Sequence, residues 1–218
     1  VQVGIDLAGI ELRLLAHVIN DPVFSEVILN GDVHSFFHDK AKHLVLNRDH
    51  WKTSWYAWQF GAMDAKLGST CTALPVNKRT RAAGKQIRSI IENSVPSLGK
   101  AIENLQKAAT RGWSRGLDGR RIYVKTIKDT LNRYIQSAAA IIFKNWIMQA
   151  FNKLKEEDIR FKSLIFYHDE IQSFVHKDDV EVYTRICLDT INEVGKMFSL
   201  NIEIAGEAKS GADWAECH

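Results

Sequence analysis

Apolar residues along this chain recur with two different periods, and each change of period marks an element. VQVGID at positions 1–6 is a short apolar run closed by a carboxylate, which reads as a buried strand. GIELRLLAHVIN then spaces Ile10, Leu14, Leu15 and Val18 along one helical face, with Glu11 and Arg13 off that stripe. After an Asn-Gly-Asp turn, Asp32 to Leu46 predicts a helical piece with Asp32 and His34 in its first turn. Arg48 to Gly61 has no Pro or Gly before its end and predicts an unbroken helix, closed by the segment up to Gly68. Two polar helices follow, Thr80 to Ile91 and Pro96 to Arg111, meeting at Pro96. The turn pair Asp118-Gly119 within Leu117 to Thr126 predicts a small hairpin or strand.

A long helix is expected from about Asp129 to Lys155, then a hairpin of two buried strands over Phe161 to Val175 with His168, Asp169 and Glu170 at its tip. An amphipathic helix, Asp178 to Met197, and a strand, Asn201 to Ala208, complete the pattern. Strands near positions 1, 161, 171 and 201 with helices between them predict an antiparallel sheet backed by helices, an α+β arrangement.

Several polar positions carry candidate chemistry. Arg48, Lys52, Tyr56 and Phe60 recur every fourth residue, so two cations, a phenol and a phenyl ring line one stripe of a helix. That stripe suits a ligand with a polyanionic end and a flat or sugar end, such as a nucleoside triphosphate; it equally fits a basic amphipathic helix. Trp51, Trp55 and Trp58 fall on another face, suited to a core. Asp6 at a strand end is compatible with a simple cap, and acidic residues at the 168–170 turn with ordinary turn preference. Asn132 and Gln136, one helical turn apart, can read minor-groove acceptors or serve only as solvated amides. His34 and His38 are four apart, but HSFFH lacks the glutamate of the metalloprotease pattern, so a zinc site is not supported.

Composition narrows the class. The 218 residues are 45% hydrophobic and 25% charged, enough for one or two folded domains. Cys71, Cys187 and Cys217 are odd in number and widely spaced, which gives no disulfide framework or zinc pattern and favours a reducing cytoplasm. No apolar run approaches the roughly 18 residues of a membrane span. Net charge is +3, yet Lys78 to Arg133 holds 14 Lys or Arg against 4 Asp or Glu. Such segregation suits a phosphate backbone, although a solvated surface would also tolerate it.

Taken together, GIDLAGIELR, RDHWKTSWYAWQFGAMDAKLG and YHDEIQ resemble motifs A, B and C of the family A, Pol I-like DNA polymerases, and most of all the replicative polymerases of short-tailed bacteriophages. LNRYIQSAA and the terminal WAECH are also similar, and the resemblance runs from Val1 to His218. It implies a palm made of residues 1–46 and 128–218, with helical fingers over 47–127. It further implies two Mg2+ ions held by Asp6, Asp169 and the backbone carbonyl of Leu7, with a dNTP as substrate and primer-template DNA as partner. Arg48, Lys52 and His34 match triphosphate contacts, Lys52 also a proton donor to pyrophosphate. Tyr56 matches a sensor of the sugar 3' position and Glu11 a gate against the 2'-hydroxyl. Phe60 matches a ring near the template base, Asn132 and Gln136 match minor-groove contacts, and His168 matches a contact to the primer terminus. Glu170 matches a nearby acid whose role as ligand is open.

The sequence departs from the family at Leu7 and Ala8, where an aromatic residue or Ala followed by Ser is usual, and at Phe60, where Tyr is usual. Motif A also begins at Val1, so the resemblance implies a fragment or one half of a divided enzyme. An upstream portion with a thumb and an exonuclease-like domain is then an expected partner, and apolar sheet surface is expected to lie open where the first palm strands would pack. A phage-encoded member would act in the bacterial cytoplasm, with no membrane partner. The alternatives are a nucleic-acid or nucleotide-binding subunit without chemistry of its own and, less well supported, a metal-dependent nuclease.

Overall fold

The computed structural model describes residues 1–217, so His218, the last residue of WAECH, lies outside the described residues. The chain runs β1 (Gln2–Leu7), α1 (Ile10–Ile19), α2 (Pro22–Asn30), α3 (Val33–Ala41), α4 (Arg48–Gln59), α5 (Asp64–Thr72), α6 (Lys78–Ser94) and α7 (Pro96–Ala108). There follow β2 (Trp113–Arg115), β3 (Arg121–Tyr123), α8 (Thr130–Glu156), β4 (Phe161–Tyr167), β5 (Glu170–Val175), α9 (Val180–Met197), β6 (Gly206–Gly211) and α10 (Trp214–Cys217). It divides into two compact units, residues 1–17 with 136–218 and residues 18–135.

The first unit is an antiparallel sheet of order β4-β5-β1-β6 with helices packed on it, the α+β arrangement expected. In β1, Val3, Ile5 and Leu7 alternate onto one face and are essentially buried, which fixes the register, because a slip of one residue would turn all three outward. Tyr183, Cys187, Ile191 and Val194 form the buried face of α9, which packs on β1 and β6. In α8, Ala138, Ile142, Trp146, Ala150 and Leu154 repeat every fourth residue and are fully buried. The Trp146 indole donates to the Cys187 carbonyl at 2.9 Å, so its one polar atom is satisfied. Truncating Trp146 to Ala removes both the packing and that bond, at a cost of about 3–5 kcal/mol.

Three features of this unit differ from expectation. Of the two hairpin strands only β5 is largely buried; β4 is the sheet edge, with Leu164, Ile165, Phe166 and Tyr167 all substantially exposed. The pairing shifts between Ser163 and Ile165, and such a bulge re-aims the side chains beyond it. β1 is flanked on both sides, by β5 and β6, so the apolar surface left open lies along β4 and not beside Val1. The last strand begins at Gly206, not Asn201: β1 runs out at the Leu7–Gly206 pair, leaving only an Ala8 to Ala205 hydrogen bond of 2.9 Å beyond it. Ile202 and Ile204 are buried all the same, as loop residues.

The second unit is mostly helical, with β2 and β3 paired as the small hairpin around Asp118-Gly119. Its core holds Phe24, Phe37, Trp51, Trp55 and Trp58. Phe37 stacks on Trp51 at 5.7 Å between centroids and meets Trp55 at 4.8 Å, within the range where aromatic pairs attract. Because α2 and α3 supply two of these rings, residues 18–46 pack with α4 in this compact unit. α3 is shorter than Asp32 to Leu46 suggested, and Asp32 is its cap, accepting from the His34 and Ser35 amides.

α4 ends at Gln59 with Gly61 at a positive φ just beyond it, and Gly68 belongs to the next helix. It lies within α5, where a Cβ would stand 1.6 Å from the Thr80 carbonyl oxygen, while a Cβ on Gly84 would stand 2.0 Å from that of Asp64. The two glycines let α5 and α6 pack backbone against backbone.

Candidate functional site

In the first unit, pairing brings motif A and motif C together. Asp6 on β1 lies opposite Glu170 on β5 and opposite Glu207 on β6. The Leu7 amide donates to the Asp169 carbonyl at 3.1 Å, tying the hairpin tip to the end of β1. His168 takes a positive φ of 54°, which makes the tight turn, and its ring meets Tyr167 edge-on at 4.4 Å. The result is a cleft of about 210 Å³ whose wall includes Asp6, Asp169, Glu170 and Glu207, with His168 and Lys209 also lining it.

Four carboxyls in one cleft repel one another, and the effect is largest at Asp6. Burial first, then the charges of Asp169, Glu170 and Glu207, push its carboxyl up to about 6, against the pull of the Leu7 backbone. Asp169 is also raised, by burial above all and by Glu170, while its own backbone and His168 oppose the shift. Among the described residues no cluster of three or more His, Cys, Asp or Glu side chains is arranged to hold an ion unaided. Asp6 and Asp169 are therefore a pair of hard oxygen donors on an open cleft, not a closed cage.

Glu11, in the first turn of α1, accepts a hydrogen bond from the Gln136 amide of α8, 125 positions away in sequence. Sequence spacing alone could not reveal that pairing. Asn132 is one turn earlier on α8, and its Oδ1 is buried without a hydrogen-bond partner. Glu207 and Lys209 were not singled out from sequence either; the available signal was their position on a strand that alternates opposite Asp6.

In the second unit, α4 behaves as its pattern predicts. Trp51, Trp55 and Trp58 are buried, whereas Arg48, Lys52 and Phe60 are exposed and Tyr56 is intermediate. Phe60 caps the helix, its ring 6.5 Å from that of Tyr56 in a stacked arrangement. Arg48 is not idle: its Nε donates to Asp32 at 2.6 Å, an exposed pair that holds the Asp32 carboxyl well below the usual range. His34 is buried beside Tyr56 at 6.0 Å, and its Nδ1 has no hydrogen-bond partner. Burial, with Arg48 and Lys52, lowers the His34 pKa against the pull of Asp32, which favours the neutral imidazole.

Residues 1–216 match the family model described as DNA polymerase family A. The chain belongs to that family. Among its relatives are the DNA-directed DNA polymerases of Enterobacteria phage T3 and Escherichia phage T7, each 29% identical over the whole of this chain. The thermostable DNA polymerase I of Thermus aquaticus is 27% identical over 97% of it. This family A chain spans about a third of the length of the two phage polymerases and 27% of the Thermus one. Its fold matches the POL domain of Pol1 from M. smegmatis, solved in complex with DNA primer-template and dNTP. The TM-score is 0.84 at 19% identity, covering 99% of this chain and 40% of that one. No helix among the described residues is long and apolar enough to cross a membrane.

Proposed function

We propose that this chain is the palm and fingers portion of a template-directed DNA polymerase, transferring a nucleotide from dNTP to a primer 3'-hydroxyl on primer-template DNA. The observation that carries the reading is the convergence of Asp6 and Asp169, more than 160 positions apart, on one cleft in a family A chain. The donor set fits magnesium. Two carboxylates, the nearby Leu7 backbone and an open cleft leave coordination positions for water and phosphate, the arrangement Mg2+ favours over an all-protein cage. When bound, two such ions would supply charge neutralisation at the transferring phosphoryl group and a more acidic 3'-hydroxyl.

The chain's own residues have separable tasks. Asp6, Asp169 and the Leu7 carbonyl would hold the ions, and a bound cation would offset the burial and, secondarily, the neighbouring like charge that raise the two carboxyls. Arg48 and Lys52 bind triphosphate oxygens, with His34 as a hydrogen-bonding neighbour, and Lys52 gives a proton to the leaving pyrophosphate. Tyr56 meets the sugar, and Glu11 fills the space that a 2'-hydroxyl needs, its carboxylate steadied by Gln136. Phe60 stacks near the template base, Asn132 and Gln136 test the minor groove, and His168 meets the primer terminus. An upstream portion carrying a thumb and an exonuclease-like domain completes the enzyme.

Primer extension by the complete enzyme tests the reading. Asp6→Ala and Asp169→Ala are each expected to lower the rate by about 10³-fold or more, since each removes several kcal/mol of metal-borne stabilisation. Near-normal extension by either variant would exclude the assignment, and binding of DNA without extension by the wild type would favour a binding subunit.

A further inference from the structure

Behind Glu170 runs a line of buried amides to which the proposed reaction gives no task. Gln2 on β1 and Gln172 on β5 are both buried, and Gln2 Nε2 donates to Gln172 Oε1 at 2.8 Å. Gln172 Nε2 donates in turn to Glu170 Oε1, and Glu170 is itself only 6% exposed. Gln172 and Glu170 are two apart on one strand and so share a face, opposite Gly4 and Asp6 on β1. Gly4 makes room for this arrangement: a Cβ there would stand 2.3 Å from Gln172 Nε2 and 2.6 Å from the Cys217 carbonyl oxygen. Cys217 closes the other side, its thiol donating to the Gln2 carbonyl at 3.2 Å.

An apolar residue at 172 would fill the same volume without a second buried amide to satisfy it, because buried polar groups cost free energy unless fully bonded. The direction of the bonds indicates what the amides do. With Gln2 occupying the Gln172 oxygen, the Gln172 amide nitrogen is aimed at Glu170, and a donor aimed at a carboxylate oxygen fixes its orientation.

We propose that Gln172 is a positioning residue for the divalent-ion cleft, holding Glu170 in a fixed place beside Asp6 and Asp169, with Gln2 setting the direction of its amide. This rests on the metal-binding reading of the cleft given above. Partners one step behind the ligands orient them, and their loss commonly weakens metal affinity by about 10–100-fold.

The test is Gln172→Leu in the full-length polymerase, with Mn2+ as the probe ion, followed by electron spin resonance. The expected result is Mn2+ affinity weakened about tenfold and an unchanged KM for dNTP at saturating Mg2+, with a melting temperature somewhat lowered because Gln2 and Glu170 each lose a buried partner. In a Glu170→Gln background the same substitution should weaken Mn2+ affinity no further. Unchanged Mn2+ affinity in a folded Gln172→Leu, or an equal added loss in both backgrounds, would overturn the proposal. If Gln172→Leu fails to fold, Gln2→Met removes the orienting donor while leaving Gln172 in place, and wild-type Mn2+ affinity there would be equally fatal. Ion binding is read without DNA synthesis, so an inactive wild type that still shows the Mn2+ difference upholds the positioning role and counts against the polymerase reading alone.

Discussion

The acids of the first unit and the cations of the second are held by different means. Asp6 and Asp169 are placed by a ladder: β1 is paired on both sides, the hairpin tip is tied to it by the Leu7 amide, and the backbone leaves little freedom for either carboxyl. Arg48 and Lys52 stand instead on the open face of a helix whose opposite face is anchored by three buried tryptophans. Their backbone is fixed, but their side chains are long and exposed, and Arg48 is already paired with Asp32. One region is thus assembled before any ligand arrives, at the cost of crowded like charge. On the proposed reading the other exchanges a surface ion pair for triphosphate, which is inexpensive because exposed pairs contribute only about 0–1 kcal/mol.

Breaking the helix side should therefore give graded effects. The largest is expected from Lys52→Ala, which removes the proposed triphosphate contact and proton donor. Single-turnover incorporation should slow by about 10²-fold, the scale of general acid catalysis. A change confined to KM would show that Lys52 binds without donating a proton. Next is Glu11→Ala. Incorporation of matched dNTP and rNTP pairs should show selectivity against ribonucleotides falling about tenfold, in line with the modest worth of a single pocket contact. The smallest effect, and the one that sharpens the comparison, is Asp32→Asn. Asn preserves the cap on α3 while freeing Arg48, so the KM for dNTP should fall by about two- to fivefold with little loss of stability. A rise in KM would mean that Asp32 positions Arg48 rather than competing for it.

Much of the architecture was legible from local pattern. The long helix α8, the 161–175 hairpin, the tryptophan face of α4 and the turn at Asp118-Gly119 all carried their own periodicity or turn chemistry. What was not legible depends on contacts between distant segments. Nothing local calls for a glycine at 68, and only the approach of α6 explains one inside α5. α2 carried a signal that was passed over, since Asp21 caps it and Pro22 occupies its first turn. Ile202 and Ile204 alternate as a strand would, yet β1 is too short to pair with them. Phe161 to Tyr167 is apolar enough for a central strand, and nothing within the segment reveals that it lies at the edge.

The candidate site divides in the same way. Asp6, Asp169 and the α4 stripe were named from the motifs, and the sheet then brought the two acids to one cleft. Glu207, the Glu11–Gln136 bond and the Arg48–Asp32 pair arise from packing and register, so no spacing rule could have found them.

The central claim, that the carboxyls of Asp6 and Asp169 serve one ionic centre, is tested most directly by comparing Mn2+ binding in Asp6→Asn, Asp169→Asn and the double variant. A shared centre predicts that either single change removes most of the wild-type affinity and that the double change removes little more, because residues bound to one ligand do not act additively. Wild-type affinity in either single variant, or two independent losses that add in the double, would contradict it.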